Sequence, residues 1–232
     1  MRARARERAA LLFGASAIAS TAFAAMAAAS AKRATVPADN RLHDRMRRKM
    51  KGPASDAAKT TAPVVEKGGK WWIYSPVAIA CAVAVLAAPR HTRRGQRGRR
   101  AGAAAILLVP ALATVMSKGL DRWLPQPRVG RRRRPVDHPV FPSGHGFRAA
   151  AVALTTGYVV AREGIAHPAV ALTLAGVAPV VVGLGRLVRE KHLASDTIGG
   201  WLAGTAVAAT LAGTYELTRA PRSGPALMRR LG

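Results

Sequence analysis

The sequence predicts an all-α protein, an integral membrane six-helix bundle with a candidate active site at one membrane face. Half of its 232 residues are hydrophobic, and they occur in long charge-free blocks separated by strongly basic loops. Crossing the hydrocarbon core takes about 20 residues at about 1.5 Å per residue. Six blocks reach or approach that length: Ala9–Ala31, Trp71–Pro89, Ala101–Ser117, Ala149–Ala161, Gly164–Gly185 and Thr197–Tyr215.

The first segment, residues 1–31, joins a basic octapeptide to the apolar block Ala9–Ala31. A cleavable signal peptide has this layout, including the small residues before Lys32. An uncleaved first membrane span has it too. We favour the uncleaved span because the apolar run is longer than most signal-peptide cores.

Residues 32–70 form a basic connector with eleven Lys and Arg residues against four acidic ones. The cluster Arg45–Lys51 lies in its middle. One interpretation is a surface helix on anionic lipid, where each basic residue contributes about 1 kcal/mol near the headgroups. The other is a solvated, partly disordered loop. The sequence leaves both open.

Residues 71–217 are expected to form the membrane core, and residues 218–232 a basic C-terminal tail. The second block begins with Trp71, Trp72 and Tyr74, which suit an aromatic belt at the membrane interface. The block Ala149–Ala161 is short but extends back through Phe147, which places Arg148 near the interface or pointing into the site. Small residues from Gly199 to Gly204 predict close helix packing.

The composition bears on several classes of protein. Lys and Arg outnumber Asp and Glu by 37 to 11, which gives a net charge of +26. A soluble Ala-rich bundle would interleave polar and apolar residues, whereas here they are segregated. Nucleic acid is not favoured as a partner, because no stacking aromatics or recognition-helix motif accompanies the arginine runs, and basic loops beside membrane spans are expected on topological grounds. The single cysteine, Cys81, excludes an intrachain disulfide.

Two loop segments carry the residues suited to catalysis. His192 and Asp196 are four residues apart, so on a helix they would share one face. The carboxylate can then accept the Nδ1 proton and leave Nε2 of the imidazole free to attack. Arg186, six residues before His192, supplies a planar cation for a phosphate. The second segment is Pro142-Ser143-Gly144-His145, in which Gly144 lets a backbone N–H approach a phosphate.

These segments resemble the type 2 phosphatidic-acid phosphatase superfamily over roughly residues 101–217. Arg186, His192 and Asp196 match its third motif in identity and spacing, with Gly185 where serine is usual. Residues 142–145 reproduce the second motif completely. The first motif, Lys-x6-Arg-Pro, is matched only at Arg128, because Asp121 and Val129 stand at its lysine and proline positions. Lys118 lies one helical turn upstream of Asp121.

The resemblance implies a membrane phosphatase that hydrolyses a lipid phosphate or diphosphate. In this chemistry His192 is the nucleophile that forms a phosphohistidine, and Asp196 fixes its tautomer. His145 protonates the leaving group and then activates water. The phosphate is held by cations and donors from several segments: Arg186, Arg128, Lys118, Ser143 and Gly144. No metal or other cofactor is required by this set.

Candidate substrates implied by the resemblance are phosphatidic acid, phosphatidylglycerol phosphate and polyprenyl phosphates or diphosphates. The expected location is the cell membrane, as a multi-pass protein with its active site on the outer face. Soluble haloperoxidases share the motifs, but the apolar spans argue against that class. The alternative function is a catalytically silent lipid-binding or scaffold membrane protein that retains the fold, an interpretation favoured by the departures at Asp121, Val129 and Gly185.

Overall fold

A computed structural model describes residues 2–49, 53–88, 93–124 and 141–219. Throughout these ranges the chain is helical and contains no β-strand. A 3-10 turn, Glu66–Gly69, precedes the fourth helix. The α-helices, in chain order, are α1 Arg2–Ala31, α2 Val36–Lys49, α3 Pro53–Val65, α4 Trp71–Ala87, α5 Arg93–Trp123, α6 Gly144–Arg162, α7 Pro168–Val188 and α8 Ala194–Arg219.

The six apolar blocks correspond to α1, α4, α5, α6, α7 and α8, which confirms the all-α prediction. Within the described ranges, three helical stretches are long and apolar enough to cross a membrane: Ala3–Ala31, Gln96–Trp123 and Pro168–Val188. The pair Asp56–Gly69 and Trp71–Ala87, bent by 58°, passes the same criterion together. The predicted count of six spans is therefore approximate. Helix α6 contains the charged residues Arg148 and Arg162, and α8 contains Asp196, Glu216 and Arg219, beside many small and polar residues.

Helices α6 and α8 form the centre of the bundle and begin at the same end of it. Gly200 and Gly204 allow the close approach, since a Cβ would lie 2.5 Å from Ser143 O at the first and 2.5 Å from Phe147 O at the second. The small-residue packing face predicted for residues 199–204 is thus confirmed. We call the end where α6 and α8 begin the motif end, because residues 142–145 and 186–196 both lie there.

Helix α1 packs along α8. The Ser16 hydroxyl donates to Ala206 O at 2.9 Å and lies 2.8 Å from Thr210 Oγ1. Nearer the motif end, the ring of Phe23 stacks on Phe141 with 6.0 Å between centroids. The first apolar segment is therefore packed against the chain's central helices.

Buried carboxylates tie the helices together at the opposite end of the bundle. Glu216 accepts from Arg162 Nε at 2.5 Å and from the Tyr158 hydroxyl at 2.9 Å. Glu163 accepts from the Tyr215 hydroxyl and pairs with Arg219. Charges removed from water are stable only when paired in this way. This cluster links α6 to α8 far from the motif end.

The connector 32–70, for which the sequence left a surface helix and a solvated loop open, contains two helices and the 3-10 turn. Helix α2 begins after Arg33, which turns the chain with a φ of 60°. Its arginines at 41, 45, 47 and 48 are exposed, whereas Asp39 is buried against α8. The connector is therefore helical on both sides of residues 50–52, which lie outside the described residues, and the contact of α2 with anionic lipid stays a prediction.

Candidate active site

His192 and Asp196 meet at the start of α8. His192 lies in the loop two residues before the helix, and Asp196 is the third residue of the helix. The pair therefore does not share a helical face as the i, i+4 spacing predicts, because α8 begins only at Ala194. The side chains still face each other, with 3.7 Å between Nδ1 and Asp196 Oδ2, and they are only 7% and 1% exposed. That separation is an ion-pair distance slightly longer than a hydrogen bond.

Asp196 is held by the backbone of its own helix end. Its Oδ2 accepts the Leu193 N–H at 2.7 Å, so the third helical residue reaches back to the first free amide as in a capping box. Its Oδ1 is buried and has no hydrogen-bond partner among the described residues. A carboxylate fixed in this way presents one oxygen to both the helix end and the imidazole.

Arg186 approaches the other nitrogen of the same imidazole. It lies in the last turn of α7, and its Nη2 is 3.0 Å from His192 Nε2. The chain reverses between them at Glu190, whose φ is 54°. Lys191 N–H donates to Arg186 O, and Glu190 N–H donates to Leu187 O, which is the Schellman pattern that ends many helices. This turn folds His192 back over the arginine that precedes it.

The second motif is joined directly to the third. Ser143 N–H donates to Asp196 O at 2.8 Å. The Ser143 hydroxyl is fully buried and accepts the Gly146 N–H at 3.4 Å, so it caps α6. Its O–H remains a donor, which is the role predicted for it toward a phosphate. The two loops that carry the candidate histidines are therefore linked by a hydrogen bond.

Glycines bring other segments against His145 and its neighbours. A Cβ on Gly144 would lie 2.7 Å from Ser117 Oγ, and a Cβ on Gly69 would lie 2.8 Å from His145 Cβ. Because Gly144 has no side chain, α5 can pack against it. The sequence had instead predicted that this glycine lets a phosphate approach. The 3-10 turn before α4 covers His145 in the same way.

Arg148 is a further cation at this site. The sequence had left open whether it lies near the membrane interface or points into the site. It lies one turn after His145, and its guanidinium donates to Gly69 O at 3.4 Å and to Ser117 Oγ at 3.5 Å. Lys118, the next residue of α5, is exposed. Asp121, half-buried on the same helix, is within electrostatic range of Arg148 and His192.

The remaining predicted residue, Arg128, lies outside the described residues. A side chain that sequence reasoning missed is Asp39 of α2, which contacts the start of α8 from the connector. Its own neighbourhood in the sequence carries no motif, and its partner is 156 residues away. Only an alignment or a structure could have identified that contact.

Comparisons with known proteins identify the family and the fold. The model of the PAP2 superfamily matches residues 103–219. Among solved structures, the chain is similar to the crystal structure of a transmembrane PAP2-type phosphatidylglycerolphosphate phosphatase from Bacillus subtilis. The TM-score is 0.65 at 20% identity, and the match covers 86% of this chain and 94% of the other. No curated protein matches the sequence significantly.

Proposed function

Because the chain belongs to the PAP2 superfamily, we propose that it is a multi-pass membrane phosphatase that hydrolyses a lipid phosphate or diphosphate through a phosphohistidine. The observation that supports this most directly is the placement of His192 between Arg186 and Asp196. One ring nitrogen faces a carboxylate and the other faces a guanidinium. This arrangement orients a nucleophile and puts positive charge where a phosphoryl group would bind.

In the first step Nε2 of His192 attacks phosphorus. Asp196 near Nδ1 holds the reactive tautomer and stabilises the imidazolium as the N–P bond forms. Arg186 moves its N–H groups from Nε2 to the phosphate oxygens, for which its planar fork is well matched. The bond to the lipid oxygen breaks, and His145 gives that oxygen its proton.

In the second step a water molecule attacks the phosphohistidine. His145, now neutral, takes a proton from the water, the P–N bond breaks, and inorganic phosphate leaves. Arg148, Lys118 and Arg128 are the further cations that we assign to the phosphate. Ser143 and Gly144 contribute a hydroxyl and a backbone N–H. We propose that this set needs no metal, because arginines supply the charge that a metal would otherwise supply.

An apolar groove supports a lipid as substrate. It has a volume of about 430 Å³ and runs between α4, α6 and α7. Gly68 and Tyr74 line one end of it, and Gly68 is adjacent to the glycine that covers His145. A lipid whose phosphate lies at the histidines can place an acyl or prenyl chain there. Because the similar Bacillus subtilis protein is a phosphatidylglycerolphosphate phosphatase, phosphatidylglycerol phosphate is the first substrate to test, followed by phosphatidic acid and polyprenyl diphosphates.

We further propose that the motif end faces the outside of the cell membrane and that α1 is an uncleaved span. The packing of Ser16 and Phe23 supports the second point, since cleavage would remove these contacts. We also propose that the exposed arginines of α2 contact anionic lipid headgroups. Reporter fusions within residues 50–60 and at the C-terminus test the orientation.

The enzymatic proposal is tested by phosphate release from each lipid, with purified wild type beside His192→Ala. His167→Ala is the matched control, because that exposed histidine precedes α7 at the opposite end of the bundle. We expect release by wild type and control, and none by His192→Ala. Equal background release from all three proteins would instead support the silent lipid-binding scaffold.

A further inference from the structure

The residue that precedes α8 supplies no side-chain oxygen to the amides of its first turn. The residue before the helix is Leu193, and a leucine side chain has no oxygen to accept the free amides of the first turn. Asp196 satisfies the amide of Leu193 itself. The amide of Ser195 therefore needs an acceptor from elsewhere in the chain.

Asp39 of α2 is that acceptor. Its Oδ1 accepts the Ser195 N–H at 2.9 Å, and its Oδ2 accepts the Ser195 hydroxyl at 2.7 Å. Asp39 and Ser195 are 4% and 5% exposed, so water does not compete for these bonds. Both oxygens of the buried Asp39 carboxylate thus accept hydrogen bonds from Ser195. That residue lies directly between His192 and Asp196 in the loop-to-helix junction.

Helix α2 also packs closely beside the nucleophile. The space between α2 and the loop, lined by Leu42, Met46 and His192 among others, amounts to about 10 Å³. That is at the lower limit of the space that a single water molecule needs. His43 and Arg47 of α2 approach Glu190 at 3.8 and 3.9 Å, but these exposed pairs contribute little. The Asp39 contacts are the buried ones, and they fix how α2 lies against the loop.

We propose that Asp39 is a positioning residue, which holds the Ser195 turn so that Asp196 and His192 keep their geometry. The proposal rests on the phosphatase function proposed above. Displacing a reacting group by about 1 Å can cost on the order of 100-fold in rate, even when the change lies outside the site. Binding of the lipid chain, in contrast, is assigned to the groove between α4, α6 and α7, whereas both hydrogen bonds of the Asp39 carboxylate go to Ser195 of α8. Loss of Asp39 should therefore lower kcat and leave KM nearly unchanged.

The test compares purified Asp39→Ala, Asp39→Asn and Ser195→Ala in steady-state hydrolysis of the best lipid substrate, with thermal unfolding measured on the same samples. Asp44→Ala is the matched control, since Asp44 is an exposed carboxylate on the same helix. We expect Asp39→Ala to lose roughly 10- to 100-fold in kcat with KM within about threefold of wild type. Asp44→Ala should match wild type.

Asp39→Asn should restore most of kcat, because its amide oxygen can still accept the Ser195 N–H and its NH₂ can donate to Ser195 Oγ. Ser195→Ala keeps the backbone bond and should lose less than Asp39→Ala. The double variant Asp39→Ala/Ser195→Ala should keep the same kcat as Asp39→Ala alone, because both changes break the same interaction. Wild-type kcat in folded Asp39→Ala would overturn the proposal, and so would a loss that appears wholly in KM.

Failure of the inference can be told from failure of the proposed function. If His192→Ala is inactive while Asp39→Ala equals wild type, only the role of Asp39 is wrong. If His192→Ala is as active as wild type, the phosphatase mechanism itself is wrong. Should Asp39→Ala fail to fold, Ser195→Ala decides the question, with Asp39→Asn as the near-wild-type reference: a lower kcat at unchanged KM supports the proposal, and a wild-type kcat overturns it.

Discussion

Arg186 Nη2 lies 3.0 Å from Nε2 of His192, on the opposite side of the imidazole from Asp196. The proposed nucleophilic nitrogen is therefore already in contact with the guanidinium that we propose to bind the phosphate oxygens. In the proposed mechanism, a phosphoryl group that enters the site would replace this contact with two others, from nitrogen to phosphorus and from guanidinium to oxygen.

Replacing Arg186 by lysine should lower kcat/KM by roughly 100-fold, because an ammonium cannot make the two parallel hydrogen bonds of a guanidinium. Steady-state hydrolysis of a lipid phosphate measures the effect. Arg189→Lys is the control, since Arg189 is exposed in the following turn. An Arg186→Lys enzyme with wild-type kcat/KM would show that this guanidinium does not bind the phosphate.

Replacing Asp121 by asparagine should lower KM for an anionic substrate. Asp121 is within electrostatic range of Arg148 and His192, where its negative charge opposes the incoming phosphate. Partly exposed charges interact by up to about 1 kcal/mol, so we expect a change of roughly fivefold. The difference between variant and wild type should shrink as salt is raised. A higher KM in the variant would mean that Asp121 supports binding, for example by orienting Arg148.

Orthovanadate should inhibit the enzyme, and EDTA should leave its activity intact. Vanadate mimics the five-coordinate phosphorus that the histidine and the arginines are proposed to stabilise. The measurement is phosphate release after dialysis against chelator, beside an untreated sample and one titrated with vanadate. Loss of turnover on chelation, restored by a divalent cation, would contradict the metal-free mechanism.

Gly204→Ala should destabilise the bundle by about 1–3 kcal/mol, because the new Cβ would lie 2.5 Å from a backbone oxygen of α6. Gly176→Ala is the matched control: the space around Gly176 on α7 is open, and alanine is the better helix former. Thermal unfolding in detergent should show a lower Tm for the first variant and an equal or higher one for the second. Equal Tm values for Gly204→Ala and wild type would indicate that α6 and α8 can separate at no cost.

Local patterns in the sequence were enough to predict the six apolar helices and to single out candidate site residues, but they left the helices of the connector open. Charge-free blocks of about 20 residues form helices because a backbone in an apolar medium must satisfy its own hydrogen bonds. The spacing from Arg186 to Asp196 survives in the structure as contacts on both sides of His192. The prediction that one helix carries both His192 and Asp196 was wrong, because α8 begins two residues after His192, at Ala194.

The sequence by itself therefore determined the helical class, the apolar segments and the candidate reactive residues, because each depends on neighbours within one or two helical turns. Tertiary structure decided which helices occupy the centre, how Arg148 reaches Ser117, and that Asp39 holds Ser195 across 156 residues. Such contacts leave no periodic pattern and no fixed spacing in the sequence. They arise because buried polar groups must find partners wherever packing brings them together.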